Sequence, residues 1–110
     1  MKTEPLTIRQ LRNLLLEWQS ILKLTTWTIT LNYGTNKYMG GNVGLNVFSP
    51  EEEISNIYLR RGEGESTLVH ELLHLVFDGH KAPEGQAYST LHERAINRTA
   101  EALVAVKYAT

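Results

Sequence analysis

Apolar residues recur along this chain with two periods, and each change of period marks a change of element. Ile8, Leu11, Leu15, Trp18 and Leu22 return every three or four positions, which places them on one face of a helix. Thr7, followed three residues later by Gln10, has the spacing of a capping box, so the first helix is expected over about residues 7–23. Trp27, Ile29, Leu31 and Tyr33 then alternate with Thr28, Thr30 and Asn32, the period of a half-buried strand. Gly34, Asn36, Gly40, Gly41 and Asn42 break the chain.

Two more strands follow. Residues 43–48 read as the second, ended by Ser49-Pro50, and residues 54–60 as the third, after the acidic turn Glu51-Glu52-Glu53. Ile57 and Leu59 share one face of that third strand. Leu68, Val69, Leu72, Leu73, Leu75, Val76 and Phe77 then predict a strongly buried helix over residues 66–78. Gly62 and Gly64 lead into it, Asp78-Gly79 ends it, and a loop with Pro83 and Gly85 precedes a last helix over about residues 89–108. Ile96, Ala100, Leu103 and Val104 form its apolar stripe. Strands bracketed by helices predict an α+β domain, with helices packed on a small three-stranded sheet.

Within the buried helix, His70-Glu71-Leu72-Leu73-His74 reads HExxH. Histidines four residues apart face the same way on a helix and can converge on one Zn²⁺, and Glu71 then stands beside the open coordination position, where a general base for activated water belongs. An ordinary helix with two histidines is the bland alternative. Average residue usage puts such a motif in a chain this short at well under about 1% by chance, and histidines in a buried helix need polar partners or a metal. A metal site is the expectation.

The bulk properties narrow the chemistry. At 110 residues, with no repeat, low-complexity tract or linker, the chain is expected to form one domain with a single modest core. Lys and Arg number 11 against 12 Asp and Glu, so the net charge of −1 provides no field toward nucleic acid or anionic lipid. Arg60-Arg61, the only adjacent basic pair, reads as a solvated strand end. The absence of cysteine removes disulfides and thiolate zinc sites, leaving histidine and carboxylate as ligands. Glu4, Arg9, Gln10 and Arg12 interrupt any apolar run near the N-terminus, so neither a signal peptide nor a membrane span is expected and a cytoplasmic location is the default.

A catalytic zinc takes three protein ligands and keeps one position open, so His70 and His74 need a partner. His80, His92, Glu93 and Glu101 are the downstream candidates. Glu93 is the expected third ligand, because it lies near the start of the last helix, three residues before Ile96, at one end of the stripe that faces the core. Against it, Thr90-Leu91-His92-Glu93 also fits a capping box. His80 sits six residues after His74, as in an HExxHxxGxxH site, but Phe77 stands where that pattern has its turning glycine. His92 points about 100° away from Glu93 on a helix and reads as a rim histidine or an oxyanion partner, with Tyr88 the other candidate for that role. Asn97, one turn after Glu93, reads as a hydrogen-bond partner for a metal histidine or as a solvent-facing side chain.

With HELLH, the long gap and a helical glutamate in view, residues 27–106 resemble the zincin metallopeptidases of the glutamate type, with His70, Glu71, His74 and Glu93 at the matched positions. The compact form is similar to small metallopeptidases of phages and mobile elements, akin to the ImmA/IrrE group. The resemblance implies a minimal zincin-like domain with a mixed sheet: residues 54–60 lie inside it, and the segment from Val43 to Phe48 forms an antiparallel edge. It also implies a peptide or protein substrate added as a strand along that edge, with Gly44 permitting close approach. The chain departs from larger zinc peptidases in lacking a second substrate domain and an evident oxyanion residue.

The leading expectation is therefore a zinc-dependent peptidase, a hydrolase in which Glu71 serves as general base. The alternative is a zinc-stabilised protein-binding module that is catalytically silent or activated by a partner. A DNA-directed protease resembling the SprT group would want a basic patch or a Cys-rich zinc ribbon, and the sequence has neither.

Overall fold

Helix α1, Ile8–Ile21, opens on the capping box that its sequence predicts. Thr7 Oγ1 accepts from the Gln10 backbone N–H at 3.1 Å, and Gln10 Oε1 accepts from the Thr7 N–H at 2.8 Å. The computed structural model describes residues 5–78 and 90–109. After α1 come β1 (Thr28–Tyr33), a single turn α2 (Asn36–Met39), β2 (Gly44–Ser49), β3 (Ile54–Leu59), α3 (Glu65–Asp78) and α4 (Thr90–Lys107). Among the described residues, no helix is long and apolar enough to cross a membrane.

The sheet order is β1-β3-β2. β3 pairs in parallel with β1, from Thr28↔Ile54 to Tyr33↔Leu59, and antiparallel with β2, from Gly44↔Leu59 to Ser49↔Ile54. The fold is thus the expected α+β domain on a three-stranded mixed sheet, with β2 at one edge. At the other edge Arg12 reaches over from α1, donating from Nε to the Leu31 carbonyl at 3.1 Å and from Nη2 to Asn32 Oδ1 at 2.8 Å. A cation laid on a strand edge blunts it against further pairing.

Period-2 alternation sends Leu31 of β1 and Ser55, Ile57 and Leu59 of β3 inward, all buried. They meet Leu11, Leu15 and Trp18 of α1, Leu68, Val69, Leu72, Leu73 and Leu75 of α3, and Ile96 and Ala100 of α4 in one core. Each fully buried leucine there contributes about 1.5–3 kcal/mol through apolar surface removed from water.

Two local expectations need correction. The glycine-rich stretch after β1 holds the helical turn α2, which tucks Met39 into the space where a Cβ on Gly34 would stand, next to Tyr58. Val76 and Phe77 of α3 are 38% and 46% exposed rather than buried. They lie about 100° and 200° around the helix from the buried Leu75, past the surface that packs on the core.

Candidate metal centre

α3 is covered on most of its circumference, so the polar residues of HELLH are held among packed neighbours instead of facing water. Glu71 and His74 are buried and His70 is half-buried. One helical turn separates the two histidines, whose ring centroids are 5.2 Å apart. α4 packs along α3 and presents Glu93 from its first turn to both rings. Glu93 Oε2 stands 2.9 Å from His70 Nε2, and Glu93 Oε1 stands 3.1 Å from His74 Nε2. The carboxylate therefore spans the two imidazoles.

His74 is held from its other side as well. Asp78 Oδ2 lies 3.0 Å from His74 Nδ1 and 3.0 Å from His92 Nε2. Burial alone would raise the Asp78 carboxyl, but hydrogen bonds from His74 and then His92 outweigh it and hold it below the ordinary carboxylate range. An ionised carboxylate only accepts, so the contact is satisfied by the His74 tautomer that carries its proton on Nδ1. In a neutral ring that leaves a lone pair on Nε2, facing the Glu93 oxygen.

Two acceptors 3.1 Å apart repel unless a second proton or a cation lies between them, and this donor chemistry is what a metal requires. The candidate ligand atoms of His70, His74 and Glu93 all lie within 4.8 Å of one another. Ligands about 2.0–2.1 Å from a tetrahedral zinc stand about 3.3 Å apart, so an ion fits between the nitrogens and Glu93 after a slight outward movement.

Glu71 sits on the strand side of the helix. A Cβ built on Gly44 of β2 would stand 2.6 Å from Glu71 Oε2, so only a glycine leaves room for the carboxyl at that point. The sequence suggested Gly44 as a point of approach for a bound strand; the neighbour that occupies the approach is Glu71. Burial pushes the Glu71 carboxyl up to about 8, and the Glu93 carboxylate adds to the rise. A cation at the His70, His74 and Glu93 group would act in the opposite sense.

The structure brings His70, His74 and Glu93 together, sets Glu71 on the adjacent helical position with its carboxyl against Gly44, and sorts the rest. Asn97 does not hold a histidine: it is exposed and donates to Glu101 Oε1 at 3.2 Å on its own helix. Glu101 is exposed on the same face, two turns beyond Glu93. His92 is placed on Asp78, and a second grouping of His74, Asp78 and His92 shares one histidine with the first. His80 and Tyr88 lie outside the described residues.

Three further residues belong to the site. Asp78 reads in the sequence as a helix end, yet an acid four residues after a histidine lies one turn away on the same face. Asn46 and Ser55 sit inside strands, and their parity, shared with Gly44 and with Ile57 respectively, turns both inward. A polar residue at an inward strand position is the signal that was available. Comparison with known protein families, with curated proteins and with solved structures finds no match to this chain.

Proposed function

We propose that this protein is a zinc-dependent peptidase of the glutamate-zincin type, acting in the cytoplasm, with His70, His74 and Glu93 as metal ligands and Glu71 as general base. The observation that carries the reading is the convergence of His70 Nε2 and His74 Nε2 on the two oxygens of Glu93, with the buried Glu71 carboxyl on the neighbouring helical position. Bound by these three residues, zinc supplies a Lewis acid that polarises a scissile carbonyl and makes water a stronger acid. Glu71 takes the water's proton at its carboxylate and returns it to the leaving amine nitrogen, so hydrolysis needs no covalent intermediate. Asp78 keeps the His74 ring turned so that Nε2 faces the ligand position.

The edge position of β2 supports a peptide or protein substrate that joins the sheet through main-chain hydrogen bonds. Arg12 covers the β1 edge, which favours β2 as the strand to be extended.

One observation favours a second reading, a zinc-stabilised binding module without activity of its own. His92, the oxyanion candidate among the described residues, is engaged by Asp78. Incubation of the zinc-loaded protein with a mixed unfolded-protein substrate, with and without a chelator, separates the two. Chelator-sensitive cleavage supports the peptidase, whereas zinc binding at one equivalent with no cleavage supports the module.

A further inference from the structure

Asn46 lies on the inward face of β2, opposite the fully buried Ile57 and two residues after Gly44. Its side-chain amide donates from Nδ2 to the backbone carbonyl of Glu71 at 2.9 Å, and its Oδ1 accepts from Ser55 Oγ at 2.6 Å. Ser55, on β3, is wholly buried. The edge strand thus touches Glu71 twice from consecutive inward positions, at the main-chain carbonyl through Asn46 and at the carboxyl through the bare Cα of Gly44.

Apolar contacts between a helix and a sheet are non-directional, and packed helices slide on one another by small shear movements. A directional hydrogen bond at one point of the interface removes that freedom. Here the bond falls on the residue that carries the base, in the middle of α3, and Ser55 sets the orientation of the amide that makes it. Burying an amide and a hydroxyl costs free energy unless each is matched, and these groups match one another. An apolar residue at position 46 would have served packing alone.

We infer that Asn46, oriented by Ser55 and assisted by the missing side chain at Gly44, is a positioning residue that fixes the Glu71 carboxyl against the edge strand β2. This rests on the proposed function for its consequence: a peptide added to β2 would meet a base registered to the same strand. The hydrogen bonds of Asn46 run to the Glu71 main chain and from Ser55, whereas the group of His70, His74 and Glu93 is built from α3 and α4, so base position and metal affinity separate under mutation.

The test uses the zinc-loaded full chain and Asn46→Leu, which keeps the branched outline of the side chain, is somewhat larger and removes the donor. In the wild type, nuclear Overhauser spectra should show a cross-peak between the Gly44 α-protons and the Glu71 γ-protons, since Glu71 Cγ lies 3.2 Å from the position of a Gly44 Cβ. In Asn46→Leu this cross-peak should weaken or vanish, while the zinc dissociation constant changes by less than about threefold. The turnover number should fall about 10- to 100-fold with KM nearly unchanged, as expected when a reacting group is displaced by an ångström or less. Ser55→Ala should give a smaller change of the same kind, and serves as the test if Asn46→Leu does not fold. A cross-peak of undiminished intensity in the folded variants, or a loss of zinc affinity that tracks the loss of turnover, overturns the assignment. If the wild type cleaves nothing, the peptidase reading fails, and the cross-peak and zinc measurements still decide whether Asn46 positions Glu71.

Discussion

Asp78 and His74 form a buried pair, with Oδ2 of the acid 3.0 Å from Nδ1 of the ring and side-chain exposures of 3% and 5%. Two such groups at i and i+4 of one helix set the tautomer of a proposed ligand from behind. Asp78→Asn should therefore weaken zinc binding about 10- to 100-fold, the usual cost of losing a carboxylate that orients a metal-bound imidazole. Chelator competition measures this, and an unchanged dissociation constant would remove Asp78 from the account of the centre.

Glu93 supplies both oxygens that face the histidines, so Glu93→Ala should lower zinc affinity by orders of magnitude. His80→Ala should leave it nearly unchanged. Zinc titration of the two stripped variants decides between them, and the reverse ranking would make this a three-histidine site.

Glu71 touches none of the proposed ligands by a hydrogen bond, and its carboxyl faces β2. Glu71→Gln should keep zinc at one equivalent and an unchanged fold while abolishing peptide hydrolysis. Equal cleavage by variant and wild type would show that another group is the base.

At the start of α3, five residues before His70, Glu65 is the anchor of a separate cluster. It accepts from Lys107 Nζ at 2.7 Å, from Trp18 Nε1 and from the Tyr108 hydroxyl, so one carboxylate joins α1, α3 and the end of α4. Burial would raise its carboxyl, but the hydrogen bonds from Lys107, Tyr108 and Trp18 outweigh this and lower it. A lowered folded value stabilises the fold above the unfolded carboxyl range, near about pH 4.5, and that stabilisation is lost as pH falls through the lowered value. Glu65→Ala should cost about 2–4 kcal/mol at pH 7. In urea unfolding, the difference between wild type and variant should shrink as pH drops below about 4; a difference independent of pH would mean that Glu65 acts by packing alone.

Periodicity made most of the fold legible. The Thr7 to Gln10 box, the alternation through Leu31 and the stripes through Leu15 and Ile96 are local patterns, and each produced the element it predicts because helix and strand geometry depend on neighbours in sequence. The exposed Val76 and Phe77 mark where this ends, since an apolar residue in a helix is buried only if something packs against its side of it.

HELLH itself determined that His70 and His74 share a face with Glu71 beside them, because spacing on one helix fixes direction. Everything that reaches those residues from another element was decided by tertiary structure: the reach of Glu93 from α4, the bond from Asn46 on β2, the bare Cα of Gly44 under the Glu71 carboxyl, and the sharing of Asp78 between His74 and His92. A period describes directions around a single axis. The distance between a strand and a helix, and the register at which they meet, depend on how the whole core between them is filled.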